Sequence, residues 1–383
     1  MAEGDKRGDR KLKVLALEPY YGGSHRAFLD GWRHRSRHAW TLLTLPAHSW
    51  KWRMRASAVT FAHRLADADP VETRWDVLLC SDMLNLVELK GLCPRVQGLP
   101  AVSYFHENQL CYPVRQPDPR DVHFGLTNMI TGLASKEVWF NSAWHREAFL
   151  SHLGELLRRM PARSPGGVCR RIAARSRVHS PGIDLPPRRR RRRAGPLRVL
   201  WSARWEHDKD PETFFDAVDQ LARRRVEFRL SVIGQAFREA PEVFARARRR
   251  LAGHIDRWGY QPTRRAYQAA LREADVFVST ARHEFFGIAA AEAVAAGAWP
   301  LLPRDLAYPE LLELDNRPEL DGHFHDGSTG EVAGRLTSLA ETLSAGGDIW
   351  DGDPHRARRA VERFTWERVA GQLDAGLVRA AGR

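Results

Sequence analysis

The sequence predicts an α/β chain of two doubly wound domains, each a parallel sheet wrapped by helices, the two facing one another across a cleft. Three observations carry this expectation. The 383 residues exceed what one ordinary core organises and suit two domains of roughly 150–200 residues each. Short apolar runs alternate with helical patterns along most of the chain, the signature of parallel βαβ units. The alternation breaks once, in a stretch rich in Pro, Gly and Arg, and then begins again.

The first domain opens with an apolar strand at 13–17, which ends at Glu18-Pro19-Tyr20-Tyr21-Gly22-Gly23-Ser24 and leads into a helical pattern over 25–34. Strand, glycine loop and helix form the first unit of a Rossmann-like domain. Further strands are expected at 41–45, 77–80, 101–105 and 138–140, and Ser142 is a candidate N-cap for a helix running to about Met160. From Pro161 to Pro196 the pattern fails, ending in an arginine run over 188–193. The expected division is therefore an N-terminal domain over 1–183, an Arg/Pro-rich linker over 184–196 and a C-terminal domain over 197–383. In the last, strands are expected at 197–201, 228–233, 276–279 and 299–302, Asp210-Pro211-Glu212 reads as a helix start with proline at the first helical position, and the tail over 355–382 reads as one helix or two short ones.

Composition bounds the function. With 43% hydrophobic and 28% charged residues the chain is globular, and no apolar run reaches the roughly 18–20 residues that cross a bilayer. The short charged N-terminus lacks the features of a secretory signal, so the cytoplasm is the expected location, with no obligatory membrane. Cys80, Cys93, Cys111 and Cys169 form no C-x-x-C pair, which suggests reduced thiols rather than zinc or disulfides. A net charge of +13 suits a polyanionic partner such as RNA or an anionic membrane; a genome-driven arginine bias would give the same figure.

The strongest local pattern is His283-Glu284-Phe285-Phe286-Gly287-Ile288-Ala289-Ala290-Ala291-Glu292, two glutamates seven residues apart after an apolar strand. With a helix starting near Gly287, Glu292 lies in its second turn and Glu284 in the preceding loop. One carboxylate can then reach sugar hydroxyls and the other ribose hydroxyls, while the helix N-terminus offers N–H groups to a diphosphate. Arg204 and Lys209 stand five positions apart at a strand-to-helix turn, where two cations can grip a leaving diphosphate and offset its charge with no metal. Asp208-Lys209-Asp210 formally matches an acidic metal motif, but its central lysine repels a cation. Gly22 and Gly23 allow close backbone approach to a diphosphate or sugar. His106, Glu107 and Asn108 follow an apolar strand at the ligand-binding end of a parallel sheet, where His106 can bond the donor sugar or acceptor and Glu107 can orient it. His25 and the cluster Trp50, Lys51, Trp52 and Arg53 interleave rings and cations, a pattern suited to stacking on bases and contacting phosphates.

The segment from Glu284 to Glu292, followed by Gly297-Ala298-Trp299-Pro300, resembles the C-terminal signature of family-four retaining glycosyltransferases, which implies the GT-B fold, Glu284 by the donor sugar, Phe286 and Gly287 along the donor and Glu292 on ribose. More narrowly, Glu18 to His25, Trp50 to Arg53, Phe105 to Leu110, Arg204 to Pro211 and His283 to Gly287 together resemble the tRNA-queuosine alpha-mannosyltransferase family. That resemblance implies a retaining, metal-independent mannosyl transfer from the donor substrate GDP-mannose, with no further cofactor, to queuosine in the anticodon loop of aspartate tRNA. Its catalytic residues would be His106, Arg204, Lys209 and Glu284; its donor would also meet Gly22, Gly23, Phe286, Gly287 and Glu292; its RNA acceptor would meet His25, Trp50, Lys51, Trp52, Arg53, Glu107 and Asn108. The arginine run and the high basicity are not part of the pattern. Two other readings stay open: a glycosyltransferase acting on a lipid or polysaccharide, for which the helix ending at Leu156-Leu157-Arg158-Arg159-Met160 is a candidate membrane-docking element, and a catalytically silent RNA-binding protein on the same scaffold.

Overall fold

The computed structural model describes residues 11–67, 74–112, 121–160, 166–186, 192, 194–236, 241–353 and 355–382. The chain divides into two compact units, Met1–Gly182 with Trp366–Arg383, and Ile183–Thr365. Apart from Arg192, the arginine run lies outside the described residues.

The first unit holds strands β1 (Lys13–Tyr21), β2 (Ala39–Pro46), β3 (Val77–Ser81), β4 (Ala101–Phe105), β5 (Glu137–Phe140) and β6 (Ser176–Val178). They form one sheet in the order β2-β1-β3-β4-β5-β6, and every neighbouring pair is parallel. Side chains alternate across it, as the pleat requires. Val14 and Ala16 join Phe28, Trp32 and Trp139 on one face, whereas Leu15 and Leu17 join Phe61, Leu78 and Leu89 on the other. With both faces covered, the central strands β1, β3 and β4 carry near-continuous apolar runs rather than a strict alternation with polar residues, unlike the edge strand β6 (Ser176-Arg177-Val178).

The second unit repeats the plan with β7 (Leu197–Ser202), β8 (Phe228–Ile233), β9 (Ile255–Gly259), β10 (Val276–Val278), β11 (Trp299–Pro303) and β12 (Phe324–His325). Its sheet order is β12-β11-β10-β7-β8-β9. Each sheet has one place where the chain turns from building outward on one side to building on the other: between β1 and β3 in the first, between β7 and β10 in the second. In open parallel sheets ligands bind outside the carboxyl ends of the strands at such a point.

The structure corrects the expected tail. The residues over 355–382 form two main helices, and the second, Trp366–Ala380, packs in the first unit, not in the C-terminal domain. Trp366, Leu373 and Leu377 bury against Phe28, Trp32 and Trp139. An amphipathic helix shows in sequence that one face must be covered, but not by what. Asp374 fixes the docking by accepting hydrogen bonds from Trp32 Nε1 at 2.8 Å, Ser36 Oγ at 2.7 Å and the Arg37 amide at 2.9 Å. Three short strands, β6, β9 and β12, were not expected, nor was the helix Val168–Ala173 inside the stretch where the pattern fails.

Candidate functional site

Two clusters lie at the two switch points. In the second unit, β7 ends at Ser202 and the chain turns through Arg204 and a short helical turn, His207–Lys209, before the helix Pro211–Arg223. Lys209 is buried at 7% exposure. Its Nζ donates to the His283 carbonyl at 2.7 Å and lies 3.3 Å from Glu284 Oε2 and 3.1 Å from Asp208 Oδ2. Burial pulls the Lys209 pKa down, but Glu284 and Asp208 outweigh it and raise it above its ordinary value. Burial pushes the Glu284 carboxyl up, and Lys209 and Arg204 more than offset this, holding it below its usual range. Arg204 is half-exposed and its Nε sits 3.2 Å from Glu206 Oε2.

The loop carrying Glu284 ends at Gly287, which N-caps the helix Ile288–Ala296. Gly287 has φ +93, and a Cβ there would lie 2.9 Å from a Tyr308 ring carbon, so both conformation and space demand glycine. Phe286 is buried and packs edge-on to Phe364 at 4.9 Å. Glu292 accepts from the Tyr267 hydroxyl and from Arg264 Nη2, each at 2.7 Å. A cavity of about 20 Å³, lined by Lys209, Glu284, Gly287 and Tyr308 among others, lies at this turn. Arg204, Lys209, Glu284 and Glu292 thus all belong to the carboxyl-end loops of one switch point and the helix behind them. Asp210 in the formal acidic motif is committed to structure: it accepts from Thr213 Oγ1 and Arg282 Nε, each at 2.8 Å.

In the first unit, the ends of β1, β3 and β4 converge. Glu18, at 1% exposure, accepts from the Tyr20 amide at 2.8 Å and Ser81 Oγ at 3.0 Å, and its other oxygen lies 3.2 Å from His25 Nδ1. Burial alone would push the His25 imidazole down, but Glu18 and then Asp82 hold it up at about 9. The His25 ring stacks on His106 at 4.0 Å between centroids. His106 carries its amide to Asp82 Oδ1 at 2.9 Å, and burial beside the charged His25 holds its imidazole well below the ordinary value. Burial raises the Asp82 carboxyl to about 8 despite His25. Glu18, His25 and His106 each bring a potential metal ligand within 4.8 Å of the others; the same three side chains are held together by the Glu18–His25 pair and the His25–His106 stacking.

The remaining expected positions scatter in role. Gly22 makes its close approach to Ala47, which a Cβ would meet at 2.4 Å, whereas Gly23, at φ +51, has open space. Asn108 is fully buried and accepts from the Leu110 and Cys111 amides, shaping its own turn. Glu107 accepts from Gln109 Nε2 at 3.1 Å. Trp50 packs on Phe124 at 5.1 Å, beside Met54 and Met83. Lys51 pairs with Asp121 at 2.6 Å, and Arg53 Nε donates to the Pro46 carbonyl at 3.0 Å. Trp52, 74% exposed, presents its ring to solvent. Sequence reasoning passed over Glu18, Asp82, Arg264 and Tyr267; the position of Glu18 and Asp82 at or just past the end of an apolar strand is the signal that could have found them.

The helix Ala143–Arg159, the candidate membrane-docking element, spends its apolar face inside the unit. Phe149 and Leu153 are fully buried and Leu150 and Leu157 pack beside them. Among the described residues no helix is long and apolar enough to cross a membrane, and all four cysteines are free thiols.

Comparison with known proteins gives the site a family. Residues 13–183 match the tRNA-queuosine alpha-mannosyltransferase N-terminal family and residues 153–373 the family described as Family 4 Glycosyltransferase in conflict systems. A tRNA-queuosine alpha-mannosyltransferase from Drosophila melanogaster is 33% identical over 321 residues, covering 80% of this chain and 83% of that one. A GDP-mannose-dependent alpha-(1-6)-phosphatidylinositol dimannoside mannosyltransferase from Mycobacterium tuberculosis is 31% identical over 54% of this chain and 53% of its own. Among solved structures, a glycosyltransferase from Rickettsia africae (TM-score 0.67, 12% identity, 98% of this chain and 99% of that chain) and a sucrose-phosphate synthase from Thermosynechococcus elongatus (TM-score 0.68, 13% identity, 95% and 97%) share the fold, GT-B. The chain belongs to the tRNA-queuosine alpha-mannosyltransferase family, within the family 4 glycosyltransferases.

Proposed function

We propose that the chain transfers mannose from GDP-mannose, with retention and without a metal, to queuosine in the anticodon loop of aspartate tRNA. The observation that carries the reading is the gathering of Arg204, Lys209, Glu284 and Glu292 at the switch point of the second unit, in a chain of this family. The Drosophila relative's name supports the RNA acceptor, and the mycobacterial relative's name supports the donor.

On this reading Arg204 and Lys209 take the diphosphate, Glu292 the ribose and Glu284 the mannose hydroxyls, with Phe286 and Gly287 shaping the donor pocket. The bond from the anomeric carbon to the phosphate oxygen breaks as the acceptor oxygen bonds to that carbon on the same face. The acceptor's proton passes to the departing phosphate oxygen. Preorganised cations offset the charge that develops on the leaving group, a contribution that mutagenesis elsewhere places at roughly 10²–10³ in turnover per donor group. In the first unit, His106, kept neutral, hydrogen-bonds a sugar or acceptor hydroxyl. Gly22 and Gly23 line the donor side, and His25, Trp50, Lys51, Trp52, Arg53, Glu107 and Asn108 form the acceptor side. There Trp52 is the side chain best placed to stack on a nucleobase.

The test incubates the protein with GDP-mannose and queuosine-containing tRNA in the presence of EDTA and analyses the digested nucleosides by mass spectrometry. A hexosyl-queuosine product supports donor, acceptor and metal independence together; product that appears only when a divalent ion is restored would remove the metal-free mechanism and leave the substrates standing.

A further inference from the structure

Glu292 is gripped by two side chains from one neighbouring helix. Arg264 and Tyr267 stand three positions apart at the start of the helix Arg264–Glu273, a spacing that puts them on one face. The Tyr267 hydroxyl donates to Glu292 Oε2 and Arg264 Nη2 donates to Oε1, both at 2.7 Å. The Arg264 guanidinium also lies over the Tyr267 ring at 5.5 Å and reaches Asp184 Oδ2 at 3.4 Å, so the clamp is itself braced. Burial and the adjacent Glu292 raise the Tyr267 hydroxyl well above its ordinary value, and it stays a donor at any working pH.

The arrangement leaves a defined remainder. An ionised carboxylate has about four acceptor sites, two on each oxygen. Among the described residues the hydrogen bonds to it are one on Oε1 and one on Oε2, which leaves one acceptor site on each. Two acceptor sites on adjacent oxygens of a fixed carboxylate match the two hydroxyls of a vicinal diol. On its own helix the positions three and four away are Ile288, Ala289, Ala295 and Ala296, whose side chains offer the carboxylate no hydrogen bond. Without the clamp, a ligand would have to immobilise the carboxylate as it binds, an entropic cost of roughly 0.5–1.5 kcal/mol for such a side chain.

We infer that Tyr267 and Arg264 are positioning residues that set the Glu292 carboxylate to receive a vicinal diol, the ribose of the donor nucleotide. The inference rests on the reading of the second unit as the nucleotide-sugar site. Its test is calorimetric titration with GDP and with 2′,3′-dideoxy-GDP, on the full-length protein and on Tyr267→Phe, Arg264→Gln and Glu292→Gln. The wild-type protein is expected to prefer GDP by about tenfold or more. Both clamp variants should bind the dideoxy nucleotide as well as wild type while losing affinity for GDP several-fold, so that the preference shrinks toward that of Glu292→Gln. In turnover, KM for the donor should rise by a larger factor than kcat falls. A full tenfold preference retained in Tyr267→Phe and Arg264→Gln, with Glu292→Gln losing it, would overturn the clamp and leave the ribose role of Glu292 intact. A wild-type protein blind to the missing hydroxyls would overturn both, and one that binds neither nucleotide would overturn the donor site itself. Because affinity for the dideoxy nucleotide reports the rest of the site, a variant that merely misfolds loses both ligands together and is told apart.

Discussion

Lys209 and Arg204 share one proposed task but are held in different ways, and their substitutions should part accordingly. Arg204 is half-exposed and its Nε lies 3.2 Å from Glu206 Oε2, so Arg204→Ala should cut turnover by roughly 10²–10³ while leaving the melting temperature near that of wild type. Lys209 sits buried between Asp208 and Glu284. Its removal leaves two carboxylates without their cation, and Lys209→Met should lose roughly 3–5 kcal/mol of stability as well as activity. Turnover and thermal melts on the two variants check the contrast; normal turnover in Arg204→Ala would exclude it from leaving-group stabilisation. His25 gives a pH signature. Its folded pKa is raised from 6.5 to about 9, so the stability it contributes is fully present below pH 6.5 and is lost as pH rises through 9, on the order of 3 kcal/mol in all. Urea denaturation at pH 6 and pH 9.5 should show this decline in wild type and a flatter dependence in His25→Gln. An unchanged slope would place the titrating group elsewhere, with Asp82, raised to about 8, next in line.

At the scale of elements, the helix Trp366–Ala380 is tied to the first unit by the buried Asp374 carboxylate and by Arg379, which donates to Glu137 Oε1 at 2.8 Å and Oε2 at 3.0 Å. Asp374→Ala strips acceptors from Trp32, Ser36 and the Arg37 amide, and should cost roughly 2–4 kcal/mol, since bonds to a charged group are worth more than neutral ones and a buried indole N–H is left unmet. Chemical denaturation measures it, and a loss under about 0.5 kcal/mol would mean that the apolar face and the Arg379–Glu137 pair hold the helix without it. The same helix marks the limit of what the sequence carries. Long periodic elements were legible: β4 and β8 fall where their apolar runs begin and end, and Ser142 caps the helix it was expected to cap. The strands β6, β9 and β12 are short and partly polar, and are recruited as edge or near-edge strands by a sheet already formed, which is tertiary context rather than local pattern. The second-unit cluster was legible because Arg204, Lys209, Glu284 and Glu292 lie on two contiguous motifs. The Glu18–His25–Asp82–His106 cluster was only half legible because the sheet order, not the sequence spacing, draws its members together.

Over the whole molecule, charge and connectivity carry the remaining expectations. A chain of net charge +13 that docks on RNA should lose affinity steeply with salt, and the slope of log K against log salt counts the phosphates it neutralises. Filter binding of tRNA between 50 and 200 mM salt measures this; a flat dependence would mean that the arginine excess is compositional. Truncation after Thr365 would expose Phe28, Trp32 and Trp139, which Trp366, Leu373 and Leu377 cover. It should therefore unfold the first unit while the second, whose core cluster is built from Leu197, Phe214, Leu230 and their neighbours, keeps the nucleotide affinity proposed for it. Nucleotide titration beside near-ultraviolet circular dichroism would separate the two.

That return of the chain also bears on how the protein is made. On the ribosome a domain usually folds as soon as its own residues have emerged, the N-terminal one first. Here the first unit lacks its last helix until the whole of Ile183–Thr365 has been synthesised, so the second unit is complete while the first still shows bare tryptophan surface to the cell. The first unit therefore cannot complete its core before the second unit has been made, and its uncovered tryptophan face is the surface that a chaperone would hold.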